Sequence, residues 1–174
     1  MFSKFIIAIY NRNVTEVKKL ISQVNINEEN SFAIKLAAEA GNLEIFKLIA
    51  TDSRTDVTIN EDTALRSAAE FGNYQIVKYL LENYEVNPAA KRDYPIRLAS
   101  ENGHFKIVEL LLLDRRVNPG MLKNYAIRNS VRNNHSDIVK LLLKKGNLSL
   151  REVKRDVIEW AEKKGHNEIL ALVK

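Results

Sequence analysis

The residues of this chain best suited to chemistry recur at one interval. His104, His135 and His166 lie 31 residues apart, as do Glu39, Glu70 and Glu101, and as do Lys35, Arg66, Arg97 and Arg128. Histidines and carboxylates are the usual ligands of zinc and the usual general acids and bases. A fixed interval of this length works against both uses. If each interval is one structural unit, equivalent side chains sit one packed element apart, roughly 8–10 Å, whereas zinc draws its ligands to about 2 Å from one ion. The 174 residues include no cysteine, which removes thiolate chemistry and a disulfide framework. No serine stands in a nucleophile elbow, and the glycines are spaced by the repeat instead of forming a phosphate-cradling loop. The expectation is a non-enzymatic chain with no catalytic residues, no metal and no cofactor.

The elements that carry these columns are clearest in Asp62 to Leu81, DTALRSAAEFGNYQIVKYLL. Leu65, Ala68 and Ala69, then Ile76, Val77, Leu80 and Leu81, follow the 3-and-4 spacing of one helical face in each half of the stretch. The spacing predicts a helix from Thr63 to Phe71, a stop at Gly72 and a second helix from Asn73. Ala68 and Ala69 are small where two helices must approach closely, and Gly72 supplies the positive φ that turns the chain back. Shifting by 31 residues superposes Gly72 on Gly41, Gly103, Asn134 and Gly165, and Ile76 on Ile45, Ile107, Ile138 and Ile169. Leu65 meets Ile34, Ile96, Ile127 and Ile158 in the same way. A column pattern at a fixed period marks stacked repeats, because helices this short cannot bury such a surface alone. Six units follow, at about 1–30, 31–61, 62–92, 93–123, 124–154 and 155–174, forming a single domain over 1–174. The first has a shorter connection, and its greasy first helix reads as a cap or as a surface for another protein. Asn or His after each glycine is expected to cap the second helix. In the fifth unit Asn129 and Ser130 stand where the fourth carries Leu98 and Ala99, and Asn134 takes the glycine place, which makes this unit the soft point. Trp160 is expected to cover the end of the core.

TALRSAAEFGN followed by IVKYLL resembles the ankyrin repeat, whose helix–turn–helix begins T-P-L-H-x-A-A and continues x-x-G-H-x-x-V-V-x-L-L-L. Pro95 stands at the family's proline and Gly103-His104 reproduces its Gly-His pair. The period is 31 instead of 33, with loops such as VNPAAKRDY and VNPGMLKNY, and this shortened type is similar to ankyrin arrays of large DNA viruses and amoebae. The resemblance covers nearly the whole chain. It implies an all-α ankyrin-repeat solenoid with N- and C-terminal caps, and a scaffold-like role in protein–protein interaction.

Charge adds a direction. Residues 1–87 carry 9 Lys+Arg against 12 Asp+Glu, a net of −3, and residues 88–174 carry 18 against 10, a net of +8. Such a split bears on steering and partners, not on fold. The longest apolar run, Leu110 to Leu113, is far too short to span a membrane. MFSKFIIAIY lacks the long core and small-residue cleavage site of a signal peptide. The expectation is a monomeric intracellular protein, cytoplasmic or nuclear, with the apolar N-terminal cap as a second place of contact.

In the family the concave side, made of first helices and inter-repeat loop tips, usually carries binding. That resemblance nominates Glu70, Phe71, Arg97, Glu101, Asn102, Arg128, Arg132 and Asn133, with loop residues Arg92, Asp93 and Lys123, as partner-binding residues. Phe71 is the leading candidate, because it lies outside the apolar columns just before the turn. The Lys35, Arg66 and Arg97 column is expected to pair with Glu39, Glu70 and Glu101 four residues on, while Arg128 meets Arg132 and is left without such a partner. Two other readings stay open. One is nucleic-acid or phosphate binding through the basic half, which lacks aromatic interleaving, and the other is a structural spacer in a larger assembly.

Overall fold

Apolar residues at helical spacing, cut every dozen residues by a turn signal, give short helices in pairs. A computed structural model, which describes residues 1–26, 28–146, 148 and 150–173, contains those pairs and no strand among the described residues. Helix α1 (Phe2–Tyr10) pairs with α2 (Val14–Leu20), α3 (Glu28–Ala40) with α4 (Leu43–Ala50), and α5 (Ile59–Glu70) with α6 (Tyr74–Asn83). In the rest of the chain α7 (Ala90–Glu101) pairs with α8 (Phe105–Leu111), α9 (Met121–Arg132) with α10 (Ser136–Lys145), and α11 (Leu150–Lys164) with α12 (Asn167–Val173). The chain divides into two compact halves, Met1–Asn87 and Pro88–Lys174. In the first half α1, α3 and α5 pack side by side, as do α2, α4 and α6; in the second, α7, α9 and α11 do so, with α8, α10 and α12 alongside.

The turn inside each pair is one motif. The first helix ends in a residue with positive φ: Arg12 at 56°, Gly41 at 76°, Gly72 at 78°, Gly103 at 80°, Asn134 at 60° and Gly165 at 72°. In five of the six pairs the next amide then reaches back five residues. Asn13 donates to Ala8 O, Asn73 to Ala68 O, His104 to Ala99 O, His135 to Ser130 O and His166 to Ala161 O, all at 2.8–2.9 Å. This six-to-one closure satisfies a carbonyl the helix would otherwise orphan.

The core is the set of repeated columns. Ile34, Ala37, Ala38, Leu65, Ala68 and Ala69 are fully buried in the first half, and Ile96, Ala99, Ile127 and Ala161 in the second. Second helices add Ile45, Phe46 and Ile49, then Ile76, Val77 and Leu80, then Ile107, Val108 and Leu111. Each large aliphatic side chain contributes about 1.5–3 kcal/mol by leaving water. The second helices of the first half also share an aromatic cluster. Tyr79 meets Phe46 edge to face at 6.3 Å and Tyr84 at 5.9 Å. The Tyr84 hydroxyl donates to Ala50 O at 3.1 Å. Burial, helped by Tyr79, pushes that phenol up to about 12.

Alanine is required where first helices pack flank to flank. Ala99 is fully buried on α7, which packs against both α8 and α9. Ala99→Leu should overpack this contact and lower stability by about 1–3 kcal/mol, measured as a shift in the urea midpoint. An unchanged midpoint would mean that the alanine column does not lie in the helix contact.

Candidate functional site

Three first helices begin with an unusual backbone. Asn60–Glu61–Asp62, Lys91–Arg92–Asp93 and Leu122–Lys123–Asn124 each have three consecutive residues at φ of 52–60°, a single left-handed turn before the right-handed helix starts. None of these residues is glycine, and L-residues pay roughly 1–2 kcal/mol apiece for this region, less for Asn and Asp. Side chains at both ends hold the first two of these turns. Asp62 accepts from the Asn87 amide at 3.0 Å, and Asp93 from the Asn118 amide at 2.7 Å. From the helix side, Arg66 donates to Glu61 O and Asn60 O at 2.9 and 2.8 Å. Arg97 repeats this on Arg92 O and Lys91 O at 2.9 and 3.2 Å.

This changes the meaning of the basic column. Lys35 pairs with Glu39 at 3.5 Å, as spacing suggests. Arg97 does not pair with Glu101: it is 8% exposed, bonded to its own loop and wedged beside the rings of Tyr94 and Tyr125 at 5.5 and 5.0 Å. Glu101 instead accepts from the Tyr125 hydroxyl at 2.6 Å. A guanidinium beside orphan carbonyls has nearer acceptors than a carboxylate one turn on, and its planar fork suits two of them. Asp93 is 2% exposed, and burial raises its pKa against the opposing pull of the Asn118 amide and Arg97. Asp93 and Arg97 therefore support the loop from within. Of the remaining nominated residues, Phe71, Arg92, Asn102, Lys123, Arg132 and Asn133 are exposed, and Glu70, Glu101 and Arg128 half-exposed.

In the second half, one of these side chains joins an aromatic ring. Arg132, exposed at the end of α9, lies 4.4 Å from the Trp160 ring centre, and Lys163 approaches the same ring at 5.3 Å. Trp160 is half-buried on α11, and its cover is this pair of cations. Arg132 also donates to Asn129 Oδ1 at 3.3 Å and has no carboxylate partner among the described residues. In the first half, Phe71 is 54% exposed and Tyr10 73% exposed, and both line one recess.

Adjacent repeats are stitched by polar groups that spacing alone assigns wrongly. Asn42 does cap its own helix, accepting from the Ile45 amide at 3.0 Å. Asn73 and His135 make no side-chain cap bond. Asn73 Nδ2 crosses to Ala38 O and Glu39 O at 2.6 and 3.0 Å. His135 Nε2 lies 2.9 Å from Glu101 O, which also accepts from Asn133 Nδ2 at 2.7 Å. A carbonyl only accepts, so Nε2 carries the hydrogen. These side chains lie directly over the preceding glycine: a Cβ on Gly41 would strike the Asn73 amide and one on Gly103 would meet the His135 ring at 2.7 Å. Where Asn134 replaces the glycine, the following His166 has a buried Nε2 with no hydrogen-bond partner. The fifth repeat is compensated elsewhere, since buried Ser130 donates to Ser100 O and Ala126 O at 3.1 and 2.8 Å.

Spacing missed the loop locks, although Asp62, Asp93 and Asn124 form a column of the residue types that tolerate left-handed backbone. Among the described residues no group of three His, Cys, Asp or Glu could hold a metal ion, and no helix is long and apolar enough to cross a membrane.

A family model described as ankyrin repeats (3 copies) matches residues 5–92 and again 96–174. A search of curated proteins finds no match.

Two outcomes test the supports. Asp93→Ala leaves the Asn118 amide unpaired and should cost about 1–3 kcal/mol. Asp93→Asn keeps the acceptor and removes the charge. Because the folded carboxyl titrates above its unfolded range, the wild type is at its relative best below about pH 4 and loses that advantage as pH rises through the folded value. The Asn variant should thus gain on the wild type as melts move from pH 3 to pH 7; a constant difference would show that Asp93 is not held against its charge. Separately, Asn134→Gly should stabilise by about 1 kcal/mol or less and slow amide exchange over 125–143, with no change if His166 gains no partner.

Proposed function

This chain belongs to the ankyrin-repeat family, and from that premise we propose that it recognises an acidic partner protein through its first-helix faces and exposed loop tips. Ankyrin repeats are generally protein–protein interaction modules and generally not enzymes. The observation that carries the electrostatic part of the reading is Arg132. Its guanidinium rests on the Trp160 ring, exposed and without a carboxylate partner among the described residues. Contact with an indole face holds a cation at little cost in hydration and leaves free the edge donors not given to Asn129. A side chain already held in place loses less entropy when a carboxylate arrives. Lys163 on the same ring and exposed Lys123 and Arg92 extend the positive field, in a half whose net charge is +8. Asp93 and Arg97 serve beneath as supports that set the positions of those loop tips. An intracellular setting, cytoplasmic or nuclear, suits a chain without cysteine.

Complementary charge acts chiefly on association. With the partner captured on wild-type chain, Arg132→Glu combined with Lys163→Glu should slow association about tenfold or more and flatten its salt dependence. Lys140→Glu, on the exposed side of α10, should leave both within about twofold. Equal loss from both variants would move the site to the second helices. Capture that vanishes with nuclease treatment would favour nucleic acid instead.

A further inference from the structure

The first half carries a recess of about 360 Å3 lined by Tyr10, Arg12, Leu36, Glu39, Ala40 and Phe71. Its walls are two aromatic side chains, 73% and 54% exposed, that make no ring contact with another described residue. Its volume is near the lower end of ligand sites, about 300–1,000 Å3, which suits one large side chain and not a whole helix.

Arg12 is the feature that gives this recess a direction. It occupies the left-handed place of the turn, at φ 56°, where the other repeats carry Gly41, Gly72, Gly103, Gly165 or Asn134. The Asn13 amide closes the motif on Ala8 O at 2.9 Å, so the left-handed conformation is imposed by the fold. A long side chain there is strained and contributes nothing that glycine would not. Strain of this kind persists where it serves a site. Space for the side chain exists because Asn42 turns to its own helix, whereas Asn73 covers Gly41. The charges at the mouth are unequal. Glu39 is already engaged by Lys35 at 3.5 Å and by the Ser67 hydroxyl at 3.3 Å, while Arg12 has no carboxylate partner among the described residues.

We infer that this recess receives a single aliphatic or aromatic side chain of a partner peptide, with Arg12 pairing a carboxylate one or two residues away. The inference rests on the reading of the chain as a protein-recognition module but lies wholly in the first half and shares no residue with the Arg132 site. Apolar area buried between Tyr10 and Phe71 supplies the anchor, and the guanidinium selects peptides with an acidic neighbour.

A phage-displayed random dodecapeptide library panned on the whole chain tests it. Enriched peptides are then titrated by fluorescence anisotropy against wild type, Arg12→Gly, Arg12→Gln, Phe71→Ala and Arg132→Glu. Leu, Met or Phe within two residues of Asp or Glu is the expected consensus. Arg12→Gly, Arg12→Gln and Phe71→Ala should each weaken binding about tenfold, while Arg132→Glu stays within about twofold. The melting midpoint of Arg12→Gly should hold or rise, which separates a binding role from a structural one. Lack of enrichment, or peptides that bind Arg12→Gly and Phe71→Ala like wild type, overturns the inference. Peptides sensitive only to Arg132→Glu overturn the recess and leave the broader recognition reading standing.

Discussion

The structure depends on what happens at the carbonyl end of each first helix. A helix that stops leaves acceptors without partners, and here those acceptors lie where the next repeat must stack. The solution is a polar side chain from that next repeat, Asn73 over Gly41 or His135 over Gly103, donating across to the exposed carbonyls. Glycine is thus needed twice, for its left-handed φ and for the absence of a Cβ beneath the crossing side chain. The stacking of apolar columns gives the repeats their cohesion, but this crossing fixes how one repeat sits on another. At Asn134 the φ is kept and the clearance is lost, and His166 is the residue that shows it.

A second tension runs through the loops. Three left-handed residues in succession are costly, yet the turn recurs at 60–62, 91–93 and 122–124. In the first two, its carbonyls are gathered by an arginine further along the helix, and its last residue reaches forward to the following connection. Loop tips built this way are tied by hydrogen bonds at the base and carry a different residue at Glu61, Arg92 and Lys123, which suits the recognition role we propose. Arg66 and Arg97, two members of the basic column that looks like a binding stripe, serve as the fastening beneath the tips. The recognition we propose rests instead on side chains that depart from the residue type of their column, such as Phe71, Arg132 and Arg12.

Fold was legible because it rests on periodicity. Leu65, Ala68, Ile76 and their equivalents mark the helix pairs, and the glycines mark the turns, with no tertiary information needed. The partners of polar side chains were not legible. Arg97 and Glu101 stand at i,i+4 in the weaker order, basic before acidic, and each finds a better acceptor or donor that is distant in sequence or hidden in the backbone. Asn73 and Asn42 share a column and do different things, one crossing to a neighbour and one capping its own helix. Spacing gives direction along an element; which donor meets which acceptor is settled by stacking, and stacking is where sequence reasoning ends.

The tryptophan beneath Arg132 and Lys163 has one more consequence. Trp160 is the only tryptophan in the chain, so all indole emission comes from a ring held under two positive charges. An indole excited state moves electron density across the ring, and its colour depends on the charge placed above it. Anything that draws either cation away, or sets a carboxylate beside it, changes that light. The protein carries its own lamp on the face where we place the acidic partner, and no label is needed to see the face occupied.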